Sequence, residues 1–320
     1  MGTDTGAVDT PGHPDDPETW RHETARVNGV DLHYVTVDPD PDAVDHPTGD
    51  APLVVLLHGF PEFWYAWRHQ LDPLAEAGYR VVAPDLRGYN RSSQPSGVDS
   101  YAMEHLVGDI RGLVEHLGYA QAAVVGHDWG GGVAWELAIR DPDVVSQLVV
   151  LNSPHPEVYK EALLRSPRQL LRSWYVFLFQ LPWVPEGVLG RDDFRVAGEM
   201  LTDTVHPDAF TDAEVRRYKD AMARSDSLTG PINYYRAAVR ENAASQLRSL
   251  VPGLETPRRT VDVPTLVVWG EQDRALGTEL LDDIAAYVPD CRIECIPDAS
   301  HWVQADAPDH VTDLLLDFLA

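Results

Sequence analysis

Two kinds of hydrophobic pattern alternate along this chain. Short continuous apolar runs, at Leu53–Leu57, Tyr79–Pro84, from Ala122, at Gln147–Asn152, Pro264–Trp269 and Arg292–Ile296, are too brief for helices. The most apolar of them suit strands buried on both faces of a parallel sheet. Between them apolar residues recur every three or four positions, which predicts helices ending near Ala77, over about Met103 to Leu117, from Asp128 to about Arg140, over about Thr278 to Val288, and from about Asp309 onward. Gly118 supplies a left-handed cap for the second of these, and Asp141-Pro142 stops the third. Upstream, Thr24–Val27 and Val30–Val37 flank Asn28-Gly29, a hairpin signal. Strands and helices in alternation imply an α/β class with a mainly parallel, three-layered sheet.

Three stretches break the alternation. Residues 1–22 read as a flexible acidic tail, because the chain to about Pro17 is rich in Asp, Pro, Gly and Thr and has little to bury. Asp38 to Pro52 reads as a surface loop, and Asp85–Ser93 as a polar loop. Residues 153–263 are helical and aromatic-rich without a clear buried strand, as expected of a helical cap inserted between two strands of a core formed by 23–152 and 264–320. The 320 residues suit one large domain with such an insertion, and no internal repeat is visible.

Charge narrows the partners. With 51 acidic against 25 basic residues the formal charge is −26, which repels a phosphate backbone, so nucleic acid is not an expected partner. Lys160 and Lys219 are the only lysines, and so acidic and lysine-poor a surface suggests a high-salt cytoplasm or a GC-rich genome. No run of about 18 apolar residues could span a bilayer, and the N-terminus has no basic-then-apolar signal segment, so a cytoplasmic location is expected. Cys291 and Cys295 lie on one face of a strand about 13 Å apart, too far to bridge, and without a nearby His pair they make no zinc site.

The chemistry gathers at strand ends. Ala122–Gly132 runs from a strand directly into a helix, and Gly126 and Gly130, two residues either side of Asp128, fit a tight elbow that pushes one side chain into a crevice. Elbows of the G-x-S-x-G type carry Ser there; Asp128 can instead attack as a carboxylate, or simply cap the helix. Asp273 and His301 also follow predicted strands, and strand C-termini of a parallel sheet share one edge. The order Asp128, Asp273, His301 is nucleophile, acid, histidine. Singly, Asp273 could be a helix cap and His301 one of 13 histidines; Glu271 is a weaker rival to Asp273. His58 and His127 read as supporting residues. The turn at His58-Gly-Phe-Pro61 is expected to free the Phe60 N–H, which with the Trp129 N–H would form a two-donor oxyanion hole.

The set His58-Gly-Phe-Pro-Glu62, Asp85-Leu-Arg-Gly-Tyr89, Gly126-His-Asp-Trp-Gly-Gly131, Asp273 and His301 resembles the epoxide hydrolase branch of the α/β-hydrolase fold, from about Arg26 onward. The resemblance implies paired cap tyrosines, which by the family's motifs are Tyr175 in Ser173–Gln180 and Tyr235 in Gly230–Arg236. Tyr234 competes with Tyr235, but neighbours on a helix point about 100° apart and only one can face the site. The implied reaction is hydrolysis of an apolar epoxide to a vicinal diol with water and no metal or cofactor. Dehalogenases of the same fold share the Asp nucleophile and are the alternative; a ligand receptor without turnover is a third. Trp64, Trp174, Phe177 and Trp302 are candidate pocket residues, with Trp67 and Trp183 among the other nearby aromatics. Oligomeric state is open, a homodimer being one option.

Overall fold

A computed structural model describes residues 17–39, 51–225, 228–249 and 259–320. Its centre is an eight-stranded sheet made of β1 (Arg21–Val27), β2 (Val30–Val37), β3 (Leu53–Leu57), β4 (Arg80–Pro84), β5 (Ala122–His127), β6 (Val145–Leu151), β7 (Thr265–Gly270) and β8 (Cys291–Ile296). The order across the sheet is β1-β2-β4-β3-β5-β6-β7-β8, antiparallel from β1 to β4 and parallel from there to β8. Every residue of β3, β5 and β7 is buried, which is why these strands read as unbroken apolar runs. This is the α/β-hydrolase architecture that the motifs imply.

Core helices are α1 (Leu71–Glu76), α2 (Met103–His116) and α3 (Asp128–Arg140). Between β6 and β7 run α4 (Pro156–Arg165), α5 (Pro167–Arg172), α6 (Trp174–Leu178), α7 (Val184–Leu189), α8 (Arg191–Leu201), α9 (Asp212–Arg224) and α10 (Thr229–Ser249), with no strand among the described residues of that insert. After β8 come α11 (Val303–Asp306) and α12 (Pro308–Leu319). The first hairpin turns on Asn28 and Gly29, both at positive φ as a two-residue turn matching strand twist requires. Gly118 ends α2 at φ 87°, with Gly118 and Tyr119 N–H groups bonding back to Glu115 and Val114 carbonyls. Cys291 and Cys295 are free thiols.

Two expectations change. Pro17–His22, assigned to the tail by composition, is ordered: Pro17–Thr19 form a single 3-10 turn, Trp20 is buried edge-on against Trp64, and β1 begins at Arg21. One aromatic anchor outweighs an otherwise polar neighbourhood. The rest of the tail, and residues 40–50 of the acidic loop, lie outside the described residues. The helix expected over Thr278–Val288 is two 3-10 turns, Thr278–Leu280 and Ile284–Ala286. Leu280, Ile284 and Val288 are buried at helical spacing, but most hydrogen bonds close over three residues, since a segment this short gains little from a full α-helix. The Asp85–Ser93 loop is polar as expected, and Asp85, Arg87, Asn90 and Ser92 in it are all buried. Asn90 N–H donates to Ser225 Oγ at 2.8 Å, and Asp85 takes Asn90 Nδ2 at 2.8 Å and the His33 ring at 2.6 Å.

Candidate active site

β5 passes into α3 without an intervening loop, and the joint holds Asp128 at φ 47°, the left-handed region that non-glycine residues seldom occupy. The flanking glycines make this possible. A Cβ on Gly126 would stand 2.4 Å from the Gly130 carbonyl oxygen, and one on Gly130 would stand 2.2 Å from that of Leu57. Gly59 likewise runs against the Asp128 side chain, where a Cβ would come within 2.5 Å of the Asp128 Cβ. The Asp128 carboxylate therefore projects from the carboxyl edge of the sheet into two backbone donors. Phe60 N–H reaches its Oδ2 at 2.8 Å, and Trp129 N–H also bonds it. Burial raises its pKa, while His301, His127 and these two donors pull the other way.

His301, in the loop after β8, donates Nδ1–H to Asp273 Oδ2 at 2.7 Å, and its Nε2 lies 3.9 Å from Asp128 Oδ1. Asp273, just past β7, is held in turn by the N–H groups of Ala275 and Leu276 at 2.7 and 2.8 Å and by Asn152 Nδ2 at 2.8 Å. Burial alone would raise the Asp273 pKa, but His301 and these donors keep it below the ordinary carboxylate value. His301 shows the reciprocal effect: burial opposes its charge, yet Asp273 and then Asp128 push its pKa up to about 9. Asp128, Asp273 and His301 thus meet at one edge, and Glu271 is exposed and makes no bond to His301.

Three supporting residues carry more than spacing revealed. Glu62 is wholly buried and takes Gly59 N–H at 2.9 Å, His127 Nδ1 at 2.7 Å and Gln304 Nε2 at 3.0 Å. Burial would raise its pKa, but His127 and the Gly59 donor lower it. His127 also bonds the His301 carbonyl oxygen through Nε2 at 2.8 Å, tying the elbow to the histidine loop. His58 accepts Leu86 N–H at 3.0 Å and joins the turn after β3 to the Asp85 loop. Asn152 is the residue that sequence reasoning passed over. It follows β6 directly, a polar residue ending an apolar run, as Asp128 follows β5 directly and Asp273 comes three residues after β7.

Tyr175 on α6 and Tyr235 on α10 face the same cavity as Asp128, with ring centroids 5.9 Å apart. The Tyr235 ring stands edge-on to Trp129 at 4.9 Å and to Phe60 at 5.5 Å. Burial and the Asp128 charge hold both phenols well above their ordinary pKa of 10. Tyr234 turns away and donates its hydroxyl to the Arg87 carbonyl at 2.7 Å. The cavity, about 600 Å³, is lined near Asp128 by Trp129, Tyr159, Val176 and Leu276, and further out by Glu136, Glu157 and Arg259.

None of the four aromatic pocket candidates lines it. Trp64 is core packing against Trp20; Trp302 is buried behind His301, its indole donating to the Met200 carbonyl at 3.0 Å; Trp174 and Phe177 are 63% and 56% exposed. The inward pair is Tyr175 on α6 and Phe179 at its C-cap, four residues apart, so Trp174 and Phe177 turn outward. Trp67 is buried in the core, and Trp183 is 83% exposed. Among the described residues no group of three or more His, Cys, Asp or Glu side chains is disposed to hold a metal ion, and no helix is long and apolar enough to cross a membrane.

The arrangement offers a carboxylate restrained by two N–H donors, two protonated phenols facing the same space, and an imidazole whose free nitrogen stops short of the carboxylate. Comparison with known proteins gives this geometry a context. A family model described as alpha/beta hydrolase fold matches residues 52–308. Epoxide hydrolase 3 of Xenopus tropicalis is 40% identical, covering 91% of this chain and 75% of that protein, and Epoxide hydrolase 4 of Homo sapiens is 37% identical, covering 95% and 80%. An AB hydrolase superfamily protein of Bacillus subtilis is 39% identical over 91% of this chain and 95% of its own length. Among solved structures, the Bacillus megaterium epoxide hydrolase in complex with an inhibitor superposes with a TM-score of 0.79 at 32% identity, covering 93% of this chain and 99% of that one.

Proposed function

Since the chain belongs to the alpha/beta hydrolase fold family and, within it, to the epoxide hydrolases, we propose that this hydrolase opens an apolar epoxide to a vicinal diol through an ester on Asp128. The observation that carries the reading is the facing of Tyr175 and Tyr235 onto the cavity that also receives the Asp128 carboxylate. An epoxide carbon is a saturated electrophile. One carboxylate oxygen of Asp128 attacks it in line, the ring C–O bond breaks, and the departing oxygen takes a proton from a cap phenol. Groups that are protonated at neutral pH belong there, because an anion would repel the developing alkoxide.

The second half returns the enzyme. His301, aligned by Asp273, takes a proton from water, and the hydroxide formed attacks the carbonyl carbon of the Asp128 ester. The 3.9 Å between His301 Nε2 and Asp128 Oδ1 leaves the two groups without a hydrogen bond, so that the imidazole nitrogen is available to a water and does not block the nucleophile. Phe60 and Trp129 N–H groups then hold the tetrahedral oxyanion. On its collapse the departing alkoxide takes the proton from His301 and leaves as the diol, and the proton left on the Asp128 carboxyl restores the cap phenolate to a phenol. The residue lining supports an apolar substrate next to Asp128, with polar tolerance further out.

The alternative, carbon–halogen cleavage by the same nucleophile, draws on Trp129, whose ring lines the cavity. Incubation with styrene oxide and with 1-bromobutane, assaying diol and bromide, separates the two. Diol formation is expected, lost in Asp128→Ala and slowed about 100-fold or more in Tyr235→Phe; bromide release without diol would reverse the assignment.

A further inference from the structure

Tyr234 and Tyr235 are neighbours on α10 whose rings both stand edge-on to Trp129, at 5.5 and 4.9 Å, but whose other surroundings differ. Tyr235 looks into the cavity, while Tyr234 is 1% exposed and packs between Tyr89 and Tyr101, with ring centroids 5.5 and 5.8 Å away. Its hydroxyl donates to the backbone carbonyl of Arg87 at 2.7 Å, a contact between the insert and the core loop. That carbonyl belongs to a restrained residue. The Arg87 guanidinium forms a two-pronged pair with Asp109 on α2, Nε to Oδ2 at 2.7 Å and Nη2 to Oδ1 at 2.6 Å, and Nη1 bonds the Ser100 carbonyl at 3.2 Å. Asp109 also accepts Asn28 Nδ2 from the first hairpin turn at 2.8 Å.

The backbone on either side is equally close. Gly88, at φ +87°, meets Gly230 at the start of α10 so tightly that a Cβ on Gly230 would lie 2.9 Å from the Gly88 Cα and 3.0 Å from its carbonyl oxygen. The first two turns of α10 are therefore seated on the Arg87-Gly88 backbone by one hydrogen bond and one glycine-on-glycine contact. A helix seated at two points cannot roll about its axis, and a roll is the motion that would swing the next side chain, Tyr235, across the cavity.

We propose that Tyr234 is a positioning residue for the reaction: its hydrogen bond to the Arg87 carbonyl, together with the Gly88–Gly230 contact, fixes the rotation of α10 and so sets the Tyr235 hydroxyl over the epoxide oxygen. The proposal rests on the reading of Tyr235 as a proton donor in ring opening. It locates specificity for geometry outside the cavity, in a loop whose ion pair with α2 has no contact with substrate.

The test separates the two chemical steps. Rapid-quench measurement on Tyr234→Phe with styrene oxide is expected to show formation of the alkyl-enzyme slowed at least about tenfold, since displacements near 1 Å cost that much or more, with hydrolysis of the ester unchanged. In a Tyr235→Phe background the same substitution should cost nothing further. Gly230→Ala, which wedges the joint while leaving the hydroxyl in place, should reproduce the pattern and cover the case in which Tyr234→Phe folds poorly. An unchanged alkylation rate in both variants, or losses that multiply with Tyr235→Phe, would overturn the proposal. If the wild-type chain forms no alkyl-enzyme, the functional reading fails. The positioning claim is then decided by a crystal structure of Tyr234→Phe, in which a Tyr235 hydroxyl moved by about 1 Å supports it and an unmoved one refutes it.

Discussion

The protonation of His301 depends on what happens to Asp128. Burial works against the imidazolium, and the Asp273 carboxylate at 2.7 Å and the Asp128 carboxylate beyond it together raise the pKa to about 9. At neutral pH the resting histidine is therefore charged, which suits a step in which Asp128 must stay ionised although burial raises its own pKa. A charged imidazole is no base. In the mechanism proposed above, esterifying Asp128 removes one of the two anions that hold the proton, so in that alkyl-enzyme the His301 pKa falls from about 9. The two steps should then respond oppositely to pH. Lowering pH keeps His301 protonated and slows ester hydrolysis, while alkylation persists until Asp128 itself takes a proton. Stopped at intervals and analysed by mass spectrometry, the reaction is expected to accumulate ester in mild acid and to lose it as pH rises. Hydrolysis at one constant rate from about pH 6 to pH 9 would remove His301 as the base.

The elbow between β5 and α3 was legible because its requirement is steric: only glycine can stand where another backbone passes within van der Waals distance. Gly130 and Gly132 lie in the same helix and make the contrast measurable. A Cβ on Gly130 would meet the backbone of Leu57 and His58 at 2.2 to 2.6 Å, where nothing can give way, whereas one on Gly132 would meet only the Trp129 ring edge at 3.9 Å. Gly130→Ala should therefore destabilise by about 3 kcal/mol or more, and Gly132→Ala should stabilise α3 by about 0.5–1 kcal/mol through helix propensity. Urea unfolding midpoints decide it, and equal midpoints for the two variants would mean that the elbow relaxes. Elements whose definition rests on a weaker signal were the ones misread. Thr278–Val288 has helical spacing without helical length, and Pro17–His22 is ordered through the single buried ring of Trp20.

Across the whole molecule, the residues that could be found from sequence are those that follow apolar runs, because a parallel sheet delivers all such ends to one edge. Asp128, Asp273 and His301 meet for that reason, and Asn152, which obeys the same rule, shows that the rule selects more than the reacting groups. Which aromatics of the insert face inward was not legible, since that depends on how α6 and α10 seat against the core: Trp174 and Tyr175 are adjacent in sequence and look opposite ways. Charge is a property of the same scale. A formal charge of −26 repels itself over the whole surface, and at 0.01 M salt the screening length of about 30 Å lets these repulsions reach across a molecule of this size, while at 0.15 M it shrinks to about 8 Å. Salt also weakens attraction, but exposed pairs such as Arg195–Glu199 at 2.9 Å contribute only about 0–1 kcal/mol each. Pairs shielded from solvent, such as Arg68–Glu214 at 2.5 Å between the core and α9, are screened far less. Repulsion is thus the larger loss, and raising KCl from about 0.01 to 0.2 M should increase Tm by about 3 °C, close to 2 kcal/mol for a chain of this size. A Tm that stays level or falls would mean that the contact pairs outweigh the excess charge, and the acidic surface would then need no salt to be tolerated.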